Sequence, residues 1–323
     1  MRLQALFAAS LLSVMGCGDG ASSAPTSSGD ITPVAATGFP AGTTIELVSG
    51  ESGDGVAGGT FIAFSRELVS DAAGRIVLDA SIPSGASLEI RASGFLTRET
   101  ILRSANETRF ELWPSAGPSG IDESYTRRLV YTSASVGEEM MEALERPALD
   151  TPFVAVIPAD AIVADPVAIA NLRAAVDEMT DALEGSFTYQ VGARAGAVQV
   201  ELLVEPGNES IVEDNLRAFT RCWMNRLEIF RCEIVFRSVE IARSETVLHE
   251  LGHTFGLNHS PFRNEIMAVR RTAAPEKLST RERLVMTMMR KRRAGNLFPD
   301  NDRQAPSLRV DAAVSQVVCR HPS

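Results

Sequence analysis

The stretch HELGHTFGLNH, residues 249 to 259, constrains this chain more than any other. Only four histidines occur in 323 residues, and three of them stand here. On a helix over residues 245 to 255, successive side chains are about 100° apart, so His249 and His253 differ by about 40° and share a face, one turn apart. Two imidazoles so spaced can hold one metal ion, and Glu250 projects beside them, within reach of a water on that ion. His259 needs a different device. If the helix ran on, it would sit about 240° round from His253 and about two turns further along. Gly256 solves this, because glycine takes the left-handed conformation that ends a helix and reverses the chain. Leu257 and Asn258 then carry His259 back towards the first pair. Borderline-soft Zn2+ favours imidazole nitrogens, and a catalytic zinc site takes three protein ligands and keeps one position open.

Residues 249 to 259 match H-E-x-x-H-x-x-G-x-x-H at every fixed position. The chain therefore resembles the metzincin zinc endopeptidases. The resemblance spans roughly residues 120 to 300, with specific identity confined to 249 to 267. It implies His249, His253 and His259 as zinc ligands and Glu250 as general base. It also implies Met267, eight residues after His259, as the methionine turn packed beneath the metal. That short separation and Ser260 resemble the matrixin branch. Ala268-Val269 departs from that branch's Tyr-Pro, no tyrosine lies near Met267, and no propeptide cysteine switch is present. The fold implied is α/β (α+β): a twisted mixed sheet with an active-site helix. The substrate implied is a protein or peptide. Arg270 and Arg271 follow the turn where the family builds its specificity wall; by themselves they read as a solvated basic face.

The N-terminus adds a location. One early charge at Arg2 precedes an apolar run to Met15, too short to span a membrane and suited to a signal segment. Val14-Met15-Gly16-Cys17 resembles the bacterial lipobox, which implies a signal peptide over 1–16 and a lipid anchor on Cys17. An ordinary secretory signal is the alternative. Residue 18 is glycine, not the aspartate of inner-membrane retention, which favours the outer membrane or cell surface. A formal net charge of −10 argues against nucleic acid as partner. In an exported chain Cys222 and Cys232 are expected to bridge, with pairing through Cys319 as the alternative.

Residues 17–40 are rich in Gly, Ser, Ala, Thr and Pro and read as a flexible linker. Residues 41–114 read as short strands between glycine turns, a small β-sandwich. Their turn pattern resembles carboxypeptidase-regulatory modules. Residues 115–323 form the expected metalloprotease domain. Asp165-Pro166 opens a helix there, with Ile169, Leu172, Val176, Met179 and Leu183 on one face and Gly185 as its stop. Val198, Val200, Leu202 and Val204 alternate as a strand. Ser279 and Glu282 form a capping box before Leu284, Val285, Met288 and Met289. The acidic stretch 205 to 214 reads as a solvated loop, and His321 as an exposed histidine without a role. A competing expectation is an envelope-binding lipoprotein whose metal site is structural or vestigial.

Overall fold

The computed structural model describes residues 38–136, 139–147, 152–213, 216–243, 245–270, 275–303 and 315–322, as backbone alone at residues 133–136, 139–141, 213 and 315–322. The linker up to residue 37 and Cys17 lie outside the described residues. The described residues belong to one compact unit. Its architecture is mixed α/β with several sheets, an α+β arrangement.

The first part holds β1 (Thr44–Ser49), β2 (Thr60–Ala63), β3 (Arg66–Val69), β4 (Arg75–Val77), β5 (Ser87–Arg91), β6 (Arg98–Ile101) and β7 (Arg109–Leu112). They form two sheets, ordered β4-β1-β7 and β3-β2-β5-β6. Period-two alternation sends Ile45 and Leu47, Leu88 and Ile90, and Phe110 and Leu112 into one apolar cluster shared by both sheets. Phe61 and Phe110 meet across it, ring centroids 5.8 Å apart. β3 and β6 carry no apolar alternation. β3 is an exposed edge strand, and β6 buries Arg98 and Thr100 rather than hydrophobes. The Arg98 guanidinium lies over the Phe110 ring, and burial, helped by the neighbouring Arg292 charge, lowers its pKa to about 10.

The second part opens with α1 (Glu123–Val130), capped by the Asp122 carboxylate. Then come β8 (Tyr131–Val136), β9 (Glu139–Leu144), β10 (Arg146–Pro147), β11 (Phe153–Pro158), α2 (Asp160–Val163) and α3 (Pro166–Ala182). β12 (Thr188–Val191), β13 (Val198–Val204), α4 (Glu209–Glu213), β14 (Leu216–Asn225) and β15 (Glu228–Phe236) follow. α5 (Thr246–Thr254), α6 (Thr280–Lys291) and β16 (Ser315–Pro322) complete the order. One sheet runs β12-β11-β13-β15-β14-β16, with β10 beside β15. β11, β12, β13 and β15 are parallel, whereas β14 runs antiparallel to both β15 and β16.

α3 begins where Asp165 and Pro166 place it. The Asp165 carboxylate accepts from the Val167 and Ala168 amides, and Leu172, Val176 and Met179 are buried. α3 packs beside α5, and α5 packs on β14 and β15. The acidic stretch is not a plain loop: residues 209–213 are helical, because Ile211 docks against Leu216, Phe219 and Val235. α1 and the β8–β9 hairpin are further elements that the sequence pattern did not reveal.

Candidate metal centre

α5 is buried along its whole length, so its histidines face protein before they face solvent. Gly252 lies under Met267, where an added Cβ would stand 2.4 Å from the Met267 sulfur. α5 ends at Thr254 with Phe255 as its C-cap, and Gly256 follows with φ +96. A Cβ on Gly256 would fall 2.1 Å from the Glu145 carbonyl oxygen, so the position needs glycine for its φ and for space. The chain then reverses. The Asn258 amide donates to the Leu129 carbonyl at 2.7 Å, and the Asn258 side chain donates to Thr132 Oγ1 at 3.1 Å.

This reversal brings His259 to the other two histidines. One ligating nitrogen from each of His249, His253 and His259 lies within 4.8 Å of the others. His249 Nδ1 is 2.7 Å from the Ile266 carbonyl, and His253 Nδ1 is 2.6 Å from that of Leu257. A carbonyl can only accept, so each Nδ1 carries the proton, and Nε2 of a neutral ring keeps its lone pair. The two Nε2 atoms stand 3.1 Å apart. Two lone pairs at that distance repel unless a cation lies between them. The donor set thus fits a borderline ion such as Zn2+, with both tautomers set by backbone carbonyls. His249 and His253 are buried, while His259 is half-buried and gives the site its solvent side.

Glu250 is wholly buried, and the Thr220 hydroxyl of β14 donates to its Oε2 at 2.5 Å. Met267 is also wholly buried. Its carbonyl accepts from the Ser260 amide at 2.8 Å, and its own amide donates to Glu282 Oε1 at 2.7 Å. Glu282 Oε2 accepts from the Ser279 amide, so the capping-box residue of α6 also holds the turn at Met267. Glu265 ties the rest. It accepts from Tyr125 Oη at 2.9 Å, from Ser279 Oγ at 3.1 Å and from Ser260 Oγ. Burial, and then the Glu265 charge, pushes the Tyr125 phenol well above its usual range, so it stays a donor.

A small cavity next to the centre is lined by Glu145, Thr220, His253 and Asn258 among others. Burial raises the Glu145 carboxyl to about 7. Cys222 and Cys232 are register partners across β14 and β15 and form a disulfide, Cα atoms 4.1 Å apart. Arg270 is exposed, Arg271 lies outside the described residues, and His321 falls on β16. No helix among the described residues is long and apolar enough to cross a membrane.

The sequence pattern named the histidines, Glu250 and Met267; the fold brings the three histidines together, and the Met267 sulfur packs against Gly252 of α5. That pattern gave no role to Thr220, Glu265, Tyr125, Gly252 or Glu145. The one available signal was a polar Thr220 between Ala218 and Cys222 in an otherwise apolar row.

No family model matches the sequence, and no curated protein matches it. Among solved structures there is similarity to a chain titled "Structure of CpGH84D", at 9% identity and a TM-score of 0.21. The match covers 33% of this chain and 18% of that one, an extent that carries no argument about fold or activity.

Proposed function

We propose that the chain is a zinc-dependent endopeptidase of metzincin type, acting on protein or peptide substrates outside the cytoplasm. The observation that carries this reading is the meeting of three imidazole nitrogens within 4.8 Å, with Glu250 next in sequence to the first. A structural site has no use for such a carboxylate. Zinc at the three imidazoles would supply Lewis-acid polarisation of the scissile carbonyl and acidify the attacking water. Glu250 takes the proton from that water as the new C–O bond forms, and delivers it to the leaving amine as the C–N bond breaks. His249 and His253 are kept in the ligating tautomer by the Ile266 and Leu257 carbonyls. Met267 is a packing floor under the site and not a ligand.

The disulfide supports an oxidising compartment. It accords with export and with a lipid anchor at Cys17 at the bacterial outer membrane or cell surface. A net charge of −10 supports a partner other than nucleic acid.

The burial of His249, His253 and Glu250 favours a second reading, in which the ion is a staple inside an envelope-binding lipoprotein. One experiment separates the two. The purified chain is assayed for zinc content and for cleavage of an unfolded protein, beside Glu250→Gln. The endopeptidase reading expects stoichiometric zinc in both and cleavage reduced at least about 1,000-fold in the variant. Zinc-free protein, or equal activity in the two, defeats it. Zinc in both without cleavage by either supports the staple.

A further inference from the structure

Thr220 is polar in a row that is otherwise apolar. Ala218, Cys222 and Met224 flank it on the core-facing side of β14, and it is only 2% exposed. A buried hydroxyl persists in such a row where its hydrogen-bonding capacity is used. Here the user is Glu250, whose Oε2 accepts from Thr220 Oγ1 at 2.5 Å. The hydroxyl also lies 3.3 Å from the Glu250 backbone carbonyl. Its place is set by the sheet on both sides, since Thr220 pairs with Ile234 on β15 and with Cys319 on β16. The disulfide two residues on pins β14 to β15. A rigid strand thus presents one hydroxyl to one carboxylate.

The geometry assigns Thr220 the role of positioning residue for Glu250, an inference that rests on the endopeptidase reading. A glutamate side chain has several rotatable bonds, and a charge-assisted hydrogen bond from a fixed donor selects one arrangement. Without that donor the carboxylate spends less time aimed at the attacking water, which slows the reaction without weakening substrate binding. Thr220 does this through Glu250 alone.

The test uses the full zinc-loaded chain as wild type, Thr220→Val, Thr220→Ser, Glu250→Gln and the Thr220→Val/Glu250→Gln double variant. Thr220→Val is expected to lower kcat by about 10- to 100-fold, the scale of loss when a catalytic group is misplaced by about an ångström, with KM little changed. Thr220→Ser is expected to restore most of the loss. The double variant is expected to be no slower than Glu250→Gln. Wild-type kcat in Thr220→Val, a loss that serine does not rescue, or a loss that tracks zinc release overturns the assignment. A further readout needs no turnover. Crystal structures of zinc-free wild type and Thr220→Val are expected to show one Glu250 rotamer in the first and a shifted or divided one in the second. An identical single rotamer in both overturns the assignment. Failure of the endopeptidase reading itself shows separately, as equal activity in wild type and Glu250→Gln.

Discussion

At the scale of the residue, Gly256 and Glu145 are two sides of one close contact. Gly256 has φ +96, and the Glu145 carbonyl occupies the space a Cβ would need. Gly256→Ala adds left-handed strain of about 1–2 kcal/mol and a backbone collision that only movement of the chain relieves. Since His259 lies three residues on, the variant is expected to lose at least about 2 kcal/mol in urea unfolding and at least about tenfold in zinc affinity. Glu145 itself holds a carboxyl raised by burial to about 7. In metal-stripped protein the folded state therefore keeps a proton that the unfolded chain releases as pH rises above the ordinary carboxyl range, so stability falls between about pH 4.5 and pH 7 and levels off beyond. Glu145→Gln removes that loss. Its stabilising effect in denaturant titrations is expected to be absent at low pH and to reach on the order of 3 kcal/mol by pH 8.

At the scale of the element, α6 has a purpose its own sequence conceals. Ser279 and Glu282 form the capping box that local spacing implies. The same Glu282 carboxylate accepts the Met267 amide, so the start of α6 and the turn at Met267 share one acceptor. Glu282→Ala removes the carboxylate half of the capping box and leaves the Met267 and Ser279 amides without their acceptor, while Ser279 Oγ still accepts from the amide of residue 282. It is expected to cost about 2–4 kcal/mol in urea unfolding, more than an exposed cap alone. β6 shows the opposite case: its inward residues are Arg98 and Thr100, so apolar alternation could not mark it. α4 is five residues long and has one wholly buried anchor, Ile211, too little for a helical period.

At the scale of the whole molecule, Arg292 joins the β4-β1-β7 sheet to the larger sheet. It is 1% exposed, and Asp300 holds it through two bonds of 2.7 and 2.8 Å. It also donates to the Glu111 carbonyl of β7 at 3.0 Å, while its own carbonyl accepts from Arg146 at 2.8 Å. Trp113, just after β7, belongs to the core that surrounds α5, and the Arg292 guanidinium lies 5.6 Å from its ring centre. Arg292→Met leaves the Asp300 charge buried without its partner and is expected to cost about 3–5 kcal/mol. Adding Asp300→Leu is expected to recover most of that, because an apolar pair needs no compensation. Urea unfolding of the two variants checks both. A single cooperative transition in wild type is the accompanying expectation for two parts that share this pair.

The local sequence was enough for everything that depends on spacing. A spacing of four residues from His249 to His253 put them on one face, Gly256 turned the chain, and Asp165-Pro166 opened α3. These features are legible because helical period and glycine's φ freedom act over a few residues. The supports of the centre were not legible in this way. Thr220 is 30 residues from Glu250, Glu282 is 15 from Met267, and Tyr125 is 140 from Glu265. No period connects such pairs; only the packing of α1, β14 and α6 around α5 brings them into hydrogen-bond range. The spacing of the motif therefore decided which atoms could meet a metal, and the tertiary structure decided how rigidly the carboxylate beside them is held.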